Sequence, residues 1–265
     1  MELTVAREEI DPSAPAFRTS LLGQVAMITG ASQGIGRATV QTLAEAGADI
    51  VINHLGAPAA DVEELSRTIR QLGRHAIAIE ADVSNPTEVA RMVELAMGEF
   101  GRLDILVNNA GIAPEHPIES TTEEIWDRVL AVNLKGQFLL CQAVVPHMRA
   151  RGYGRIINIG SEQGLIGALG MVAYCASKAG VFGLTKSLAR ELAPAGILVN
   201  CVAPGPVDTA LLNPLDRTPE LIAKIPLGRI GRPDEIAFAV LFLASPRASW
   251  TTGQILSPNG GVVMQ

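Results

Sequence analysis

Residues 25–36 read Val-Ala-Met-Ile-Thr-Gly-Ala-Ser-Gln-Gly-Ile-Gly, and this stretch decides the fold. Its first five residues form an apolar run that predicts a short, buried strand. The glycines at 30, 34 and 36 permit a tight turn in which the backbone can lie against a pyrophosphate. The helix predicted from Gly34 onward offers free N–H groups and the positive end of its dipole to an anion. The stretch therefore predicts a strand, a phosphate-binding turn and a helix, although a purely structural strand–helix turn is the alternative.

The same alternation of strand and helix continues to the end of the chain. The predicted strands are Val25–Thr29, Ile50–Asn53, Ala76–Glu80, Ile105–Val107, Arg155–Ile159, Ile197–Cys201 and Gln254–Leu256. The predicted helices are about Gly34–Ala46, Ala59–Leu72, Pro86–Phe100, a stretch from Ile125 to about Met148, Ala173–Leu192 and Pro233–Ala244. The strands are continuous apolar runs, which indicates burial on both faces. We therefore predict an α/β fold with one doubly wound, Rossmann-like parallel sheet, helices on both faces, and ligands at the carboxyl ends of the strands.

The length of 265 residues suits one such domain. Residues 1–20 show no periodicity and are predicted to be an N-terminal extension, whereas residues 21–265 are predicted to form the single domain that carries the site. The irregular stretch at about 204–230 is predicted to be a substrate loop. Its apolar residues suggest an apolar pocket wall, unless they pack on the domain itself or on a neighbouring subunit; they are Leu211, Leu212, Leu215, Leu221, Ile222 and Ile225.

Composition excludes several classes of function. The 21 basic and 27 acidic residues give a net charge of −6, which argues against a nucleic-acid partner. The longest clean apolar run, residues 236–244, is too short to cross a membrane. The three cysteines form no C-x-x-C pair and the four histidines have no metal-ligand spacing, so we expect no metal site. With no signal-peptide pattern at the N-terminus, the sequence predicts a cytoplasmic protein.

Further motifs follow the glycine turn in a fixed order: Asn108-Asn109-Ala110-Gly111, Asn133, Ser161, Tyr174-x-x-x-Lys178 and Pro204-Gly205. Together with the Gly-x-x-x-Gly-x-Gly spacing, they make the chain resemble the short-chain dehydrogenase/reductase (SDR) family over residues 21–261. Within it, the chain is similar to 3-oxoacyl-carrier-protein reductases and to the shorter sugar and alcohol dehydrogenases. The resemblance implies a homotetramer that uses the helices near 125–148 and 173–192 and the C-terminal segment.

The implied activity is that of an oxidoreductase that transfers a hydride between NAD(P)(H) and a small carbonyl or alcohol substrate. Two alternatives stay open: a 3-oxoacyl-carrier-protein reductase, and a non-catalytic NAD(P)-binding regulator. By the resemblance, Gly152 and Ala195 stand where carrier-protein reductases tend to carry arginines, which favours a small substrate, although Arg151 is adjacent. Glu162 and Gln163, beside Ser161, suit a polyol or another hydroxylated substrate.

Four residues are predicted to be catalytic. Tyr174 and Lys178 lie four positions apart on one predicted helix and share a face. An ammonium within about 4–6 Å favours a phenolate, so we expect Lys178 to lower the pKa of Tyr174 and make it the proton donor and acceptor. The resemblance implies that Ser161 holds the substrate oxygen. It also implies that Asn133 holds a water that relays protons, the alternative being a simple helix irregularity.

The resemblance also implies the cofactor contacts. Asp82 and Val83 are expected at the adenine ring, although Asp82 could instead cap the helix that begins at Pro86. Val207 and Thr209 are expected at the nicotinamide carboxamide, and Lys178 at the nicotinamide ribose. The full predicted set is Gly30, Ser32, Gln33, Gly34, Ile35, Gly36, His54, Asp82, Val83, Asn109, Ala110, Gly111, Tyr174, Lys178, Pro204, Gly205, Val207 and Thr209.

The end of the second strand bears on the choice between NAD and NADP. NAD sites usually place an acid there, about 20 residues after the glycines, to bind the ribose 2′-hydroxyl. The chain has Asn53-His54-Leu55 at this position and no acid, which favours NADP. No Arg or Lys stands there either, so Asn53 and His54 are the expected donors to a 2′-phosphate and NAD remains the alternative.

Overall fold

The structure is a computed structural model that describes residues 20–212 and 217–264. All of the predicted extension except Ser20 lies outside the described residues, and so do residues 213–216 of the predicted substrate loop. The description below concerns the two described ranges.

Seven parallel strands form one sheet in the order β3-β2-β1-β4-β5-β6-β7. The strands are β1 Val25–Ile28, β2 Asp49–His54, β3 Ala76–Glu80, β4 Ile105–Asn108, β5 Gly154–Ile159, β6 Ile197–Val202 and β7 Ile255–Leu256. Met27 of β1 lies opposite Val51 of β2 on one side and Leu106 of β4 on the other. The strand order thus reverses direction at β1, and a crevice opens there at the carboxyl ends of the strands. The predicted doubly wound sheet is confirmed.

Helices cover both faces of the sheet. They are α1 Gly34–Glu45, α2 Ala59–Gln71, α3 Pro86–Phe100, α4 Glu123–Leu130, α5 Gly136–Arg151, α6 Gln163–Ile166, α7 Val172–Leu192, α8 Pro219–Ala223 and α9 Pro233–Ala244. Short 3₁₀ turns occupy Ile118–Ser120, Ala193–Ala195 and Pro246–Ala248. The predicted irregular stretch before Pro233 contains α8, whose first turn is capped by the Thr218 hydroxyl.

The sheet separates two apolar clusters that make up most of the core. Strand residues Ile28 and Ile50 pack with Leu43 of α1 and Val240 of α9 on one face. The opposite face joins Met27 and Leu106 to buried side chains of α3 and α5. Full burial of each such side chain contributes about 1.5–3 kcal/mol. Because the central strands are buried on both faces, their sequences are continuously apolar, as the predicted parallel sheet requires.

The helical stretch Glu123–Arg151 is interrupted by a π-helical turn at Ala131–Lys135 between α4 and α5. By length and composition alone this stretch is apolar enough to span a membrane. Its buried side chains Leu140, Val144 and Met148 belong to the core cluster beneath the sheet. The apolar composition of the stretch is therefore explained by packing on the sheet.

Candidate active site

Two adjoining cavities open along the carboxyl edge of the sheet. The first, of about 280 Å³, lies over the glycine turn, and the second, of about 350 Å³, lies beside Ser161 and Tyr174. Five residues line both cavities, which makes them neighbouring parts of one crevice: Ile35, Asn109, Gly111, Thr209 and Leu211. A crevice at this edge is where doubly wound sheets bind ligands.

The glycine turn forms the floor of the first cavity and leaves no room for side chains. Gly30 has φ +59° and a Cβ there would lie 2.9 Å from Ala110 Cα. Gly34 has φ +52° and its Cβ would lie 3.1 Å from the Thr209 side chain. A Cβ on Gly36 would lie 2.6 Å from Asn109 Nδ2 and would clash with the Gly30 carbonyl. The turn is a cradle at the N-terminus of α1 whose size and N–H groups fit a pyrophosphate.

Asn109 fixes the position of this turn from the end of β4. Its side-chain amide donates to the carbonyl oxygens of Thr29 at 2.8 Å and Gly30 at 3.0 Å. The Thr29 hydroxyl in turn accepts from the backbone N–H groups of Asn109 and Ala110. The predicted cofactor contact therefore also ties the loop after β4 to the loop after β1.

The end of β2 differs from the prediction. Asn53 is fully buried, accepts from Gly30 N–H at 3.3 Å and donates to the Ala81 carbonyl at 3.0 Å, so its amide is not free for a phosphate. Leu55 lines the first cavity, whereas His54 is not among the lining residues. β2 ends at His54 and Leu55 lies in the bend that follows, so the predicted donor His54 lies between two cavity-lining residues without lining the cavity itself.

Asp82 and Val83 both line the first cavity. The Asp82 carboxylate accepts from the Ser84 backbone and hydroxyl and, at 3.1 Å, from Arg128. Burial raises the pKa of Asp82, but the hydrogen bonds from Ser84 and Arg128 outweigh burial and lower it overall. The helix cap considered for Asp82 belongs instead to Asn85, whose side chain accepts from Thr87 N–H. Asp82 is therefore a carboxylate held ionised on the cavity wall.

The second cavity brings together three of the four predicted catalytic residues. Ser161, Tyr174 and Lys178 all line it and are all buried. Ser161 follows the end of β5, and the other two share one face of α7. The Lys178 ammonium lies 5.5 Å from the Tyr174 ring centroid and donates to the Ile159 carbonyl at 2.8 Å. The cavity thus places a hydroxyl, a phenol and an ammonium around one space.

The expected lowering of the Tyr174 pKa is not observed. Burial raises the pKa of Tyr174, and the hydrogen bond with Ser161 opposes this only in part. Burial also lowers the pKa of Lys178 to about 8, so its ammonium group loses a proton more readily than that of an exposed lysine. Burial removes water from both groups and so disfavours the charged form of each, the phenolate of Tyr174 and the ammonium of Lys178.

Asn133 lies in the π-helical turn and lines neither cavity. Its side-chain oxygen accepts from Ile112 N–H at 2.9 Å, and its amide donates to the Ile112 carbonyl at 2.9 Å and to Ser177 at 3.1 Å. The Asn133 side chain therefore ties the π-helical turn to Ile112 and to Ser177 of α7, and its role in holding a relay water stays a prediction. The helix irregularity considered as the alternative is present as this π-helical turn, and Asn133 in it binds the backbone of Ile112 in the loop after β4.

The remaining predicted residues divide between the two cavities. Ser32, Gln33 and Ala110 line the first, whereas Pro204, Gly205 and Val207 line the second. Gly36 lines neither, because it packs under the glycine turn. Lining residues that the sequence did not single out include Leu55, Arg128, Glu115 and Met171. No local pattern marks them, since they come from four separate segments that meet only in the folded protein: the end of β2, the loop after β4, α4 and the residue before α7.

Comparisons with known proteins agree with this architecture. Residues 30–263 match a family profile described as Enoyl-(Acyl carrier protein) reductase. The chain is 43% identical over 248 residues to 3-oxoacyl-acyl-carrier-protein reductase FabG of Vibrio cholerae, covering 92% of this chain and 99% of that protein. It is 42% identical to the 3-oxoacyl-acyl-carrier-protein reductase of Synechocystis, covering 93% and 99%.

Among solved structures, a short-chain type dehydrogenase/reductase from Mycobacterium marinum superposes with a TM-score of 0.88 at 38% identity, covering 93% of this chain and 98% of that one. The glycine cradle, the crevice at the strand ends and the Tyr174–Lys178 pair agree with the predicted resemblance. The chain therefore belongs to the short-chain dehydrogenase/reductase family and is an NAD(P)-dependent oxidoreductase that acts on carbonyl and hydroxyl groups.

Proposed function

We propose that this enzyme interconverts a small carbonyl compound and its alcohol, with Tyr174 as the proton donor and acceptor. The observation that carries the proposal is the convergence of Ser161, Tyr174 and Lys178 on the second cavity. The proposal depends also on the direct continuation of this cavity into the glycine-lined one, because the reacting carbon must lie beside the nicotinamide.

The proton chemistry follows from burial. The raised pKa of Tyr174 keeps it a neutral phenol near pH 7, ready to donate as the substrate oxygen gains negative charge. Ser161 donates to the same oxygen and holds it beside the phenol. The Lys178 ammonium stabilises the phenolate that is left, and in the oxidative direction the phenolate takes the proton back. Asn133 acts as a positioning residue that fixes the loop after β4.

The dinucleotide, when bound, supplies or accepts the hydride. The glycine turn from Gly30 to Gly36 would hold its pyrophosphate, Asp82 and Val83 the adenine, and Lys178 the nicotinamide ribose. Val207 and Thr209 would hold the carboxamide; they lie near the junction of the two cavities. This division leaves the apolar wall of Leu211, Leu212 and Leu221 to the substrate.

NADP is the proposed cofactor. Asn53 and Leu55, the residues of β2's end that line the first cavity, carry no carboxylate to repel a 2′-phosphate. Arg37, one residue after Gly36 in α1, forms a partly exposed ion pair with Glu64 at 3.1 Å, and such a pair is weak enough to release the guanidinium. We expect kcat/KM to favour NADPH over NADH by at least about tenfold, or about 1.4 kcal/mol. Equal kcat/KM values for the two cofactors, or a higher value with NADH, would contradict this choice.

A 3-oxoacyl-carrier-protein reductase is the second candidate, favoured by the activity for which the 42–43% identical relatives are named. Gly152 and Ala195, where a cationic docking site is expected, carry no charge. A panel of small ketones and a 3-oxoacyl-carrier-protein, followed by NADPH oxidation, separates the two candidates. We expect the ketones to be reduced with the higher kcat/KM, and a preference for the carrier-protein substrate of tenfold or more would make the second candidate the function.

A homotetramer in the cytoplasm completes the proposal. Phe238 on α9 is 60% exposed, and Trp250, which precedes the edge strand β7 in the chain, is 99% exposed. Phe138 on α5 and Val172 on α7 are exposed on the other predicted interface. Burying these side chains between subunits would remove them from water. The three cysteines are free thiols, which suits a reducing compartment.

Light scattering tests the assembly directly. We expect the mass of four chains, and Phe238→Glu should reduce it to a smaller assembly by placing a charge in a subunit interface. A monomer in the wild-type protein would contradict the proposed tetramer. No nucleic acid or membrane enters the proposal, in keeping with the net charge of −6.

A further inference from the structure

The second cavity contains a carboxyl group for which the proton chemistry has no use. Glu162 follows Ser161 directly, is 5% exposed and lines the same cavity as Tyr174. Its Oε2 is buried and has no hydrogen-bond partner among the described residues. A buried, unpaired carboxyl oxygen costs free energy, so a protein that keeps one usually keeps it for a ligand.

The neighbouring loop that contains Pro204 and Gly205 leaves space for the Glu162 side chain and fixes its backbone. A Cβ on Gly205 would lie 2.9 Å from Oε2, so the absence of a side chain at Gly205 makes room for the carboxyl group. The Glu162 backbone N–H donates to the Pro204 carbonyl at 2.9 Å, which ties the two loops together. The position of the carboxyl group is therefore set by the same loops that form the cavity.

A second unpaired oxygen lies next in the chain. Gln163 also lines the second cavity, and its Oε1 is buried with no hydrogen-bond partner among the described residues. Burial raises the pKa of Glu162 to about 7, so near neutral pH the group is in part a neutral acid that can both donate and accept. The pair offers a donor and acceptors beside the Ser161 hydroxyl, the partners that one alcohol group needs.

We propose that Glu162, assisted by Gln163, binds a hydroxyl group on the carbon next to the reacting carbonyl, and that the enzyme prefers α-hydroxy ketones and the corresponding 1,2-diols. This inference rests on the proposed function, because it takes Ser161 and Tyr174 to hold the reacting oxygen. Glu162 is then a specificity-determining residue: it contacts the neighbouring hydroxyl and takes no part in proton transfer.

A matched pair of ketones tests the preference. In 1-hydroxy-2-butanone and 3-pentanone a hydroxyl and a methyl group replace one another on the carbon next to the carbonyl. The measured quantity is the ratio of kcat/KM for the two ketones, compared between wild type and variants, because the hydroxyl also activates the carbonyl without the enzyme. We expect Glu162→Met to lower this ratio by at least about tenfold, since a bound hydroxyl loses its partner.

Two further variants control for charge and folding. Glu162→Gln keeps hydrogen-bonding groups in place, and we expect it to keep most of the ratio. Glu115→Met removes a carboxylate from the exposed rim of the same cavity, and we expect it to change the ratio less than about threefold. NADPH binding, measured by its fluorescence, establishes that each variant retains a folded dinucleotide cavity.

The outcomes separate this inference from the proposed function. If Glu162→Met reduces both ketones with the wild-type ratio, the hydroxyl subsite is wrong while the oxidoreductase activity on small ketones stands. If wild type binds NADPH but reduces neither ketone, both are wrong. A ratio that falls equally in Glu162→Met and Glu115→Met also contradicts the subsite, because the cavity charge alone would then explain the preference.

Discussion

The two cavities of the crevice differ in whether their buried polar side chains have hydrogen-bond partners. Around the first, Asn53, Asn109 and Asp82 have their side chains hydrogen-bonded to neighbouring loops. In the second, Glu162 and Gln163 keep unpaired buried oxygens. The first cavity is therefore assembled before a ligand arrives, whereas the second contains groups that lack partners until one binds.

This contrast extends to the pKa values of the acids. Asp82 in the first cavity has a lowered pKa, because its hydrogen bonds with Ser84 and Arg128 outweigh burial. In the second cavity burial prevails and raises the pKa of both Glu162 and Tyr174. pKa shifts in which burial outweighs the hydrogen bonds of the group are typical of sites where protons move or ligands bind. The first cavity is therefore lined by polar groups that are already hydrogen-bonded, whereas the second contains buried groups whose charged forms are disfavoured.

The largest effect that sharpens this contrast is expected from removing the phenol. Tyr174→Phe keeps the ring and deletes the hydroxyl, so proton transfer should fail while the glycine cradle is untouched. We expect kcat to fall by about 10²–10⁴-fold, the usual range for general acid–base catalysis. The measurement is turnover of any accepted ketone, with the Kd for NADPH as the control. Wild-type turnover in this variant would remove Tyr174 from the mechanism.

The next effect concerns the first cavity. Gly36→Ala places a methyl group against the Gly30 carbonyl and 2.6 Å from Asn109 Nδ2. We expect the free energy of unfolding to fall by about 1–3 kcal/mol, as in other overpacked sites. The Kd for NADPH should also rise, because the turn must shift. Denaturant unfolding and NADPH fluorescence titration measure the two effects.

A glycine elsewhere provides the control for this substitution. Gly98 is exposed within α3, and a Cβ there meets nothing within 4 Å. Gly98→Ala should stabilise the protein by about 0.5–1 kcal/mol, because glycine weakens a helix interior. NADPH binding should stay at the wild-type level. If Gly36→Ala behaved like Gly98→Ala, the tight cradle would be absent.

The parts of the fold with local signals were predictable from the sequence. The bounds of α3 match the prediction because Asn85 caps its start, Pro86 occupies its first turn and Gly101 ends it with a positive φ. The bounds of α9 match for a similar reason, since Pro233 fixes its first turn. The glycine cradle was predictable too, because close backbone approach leaves glycine as the only residue that fits.

What the sequence did not predict depends on packing between distant segments. The Asn53 side chain forms its hydrogen bonds with Gly30 and Ala81 only where the end of β2 meets the segments after β1 and β3. The direction of the Tyr174 pKa shift requires the depth of the cavity, and four-residue spacing to Lys178 could not supply it. The spacing did predict the proximity of the two side chains, because helix geometry alone determines it.

A smaller effect is the pH dependence of stability that Lys178 gives to the second cavity. Lys178 has a pKa of about 8 in the folded protein and an ordinary value of 10.5. Between these values the unfolded chain binds more protons than the folded one, so stability rises with pH over this window. Lys178→Met removes the buried ammonium, and we expect its Tm to exceed that of wild type below pH 8 by an amount that shrinks toward pH 10.5. A Tm difference that is constant from pH 7 to 10 would show that the ammonium is not destabilised by burial.

The smallest effect has the opposite sign and concerns Glu162. Its pKa is about 7 in the folded protein against an ordinary value of 4.5, so the folded protein binds more protons between these values. Stability is therefore lost as pH rises from 4.5 to 7. Glu162→Gln cannot ionise, and we expect its Tm relative to wild type to increase over this window and to level off above pH 7. An Asp82→Asn control should show a constant Tm difference from wild type between pH 4.5 and 7, because the Asp82 pKa is lowered from 3.8 and its carboxylate is ionised in both the folded and the unfolded protein over this window. If Glu162→Gln followed Asp82→Asn, the Glu162 carboxylate would have a partner in the folded protein, and the distinction between a satisfied cradle and an unsatisfied pocket would fail.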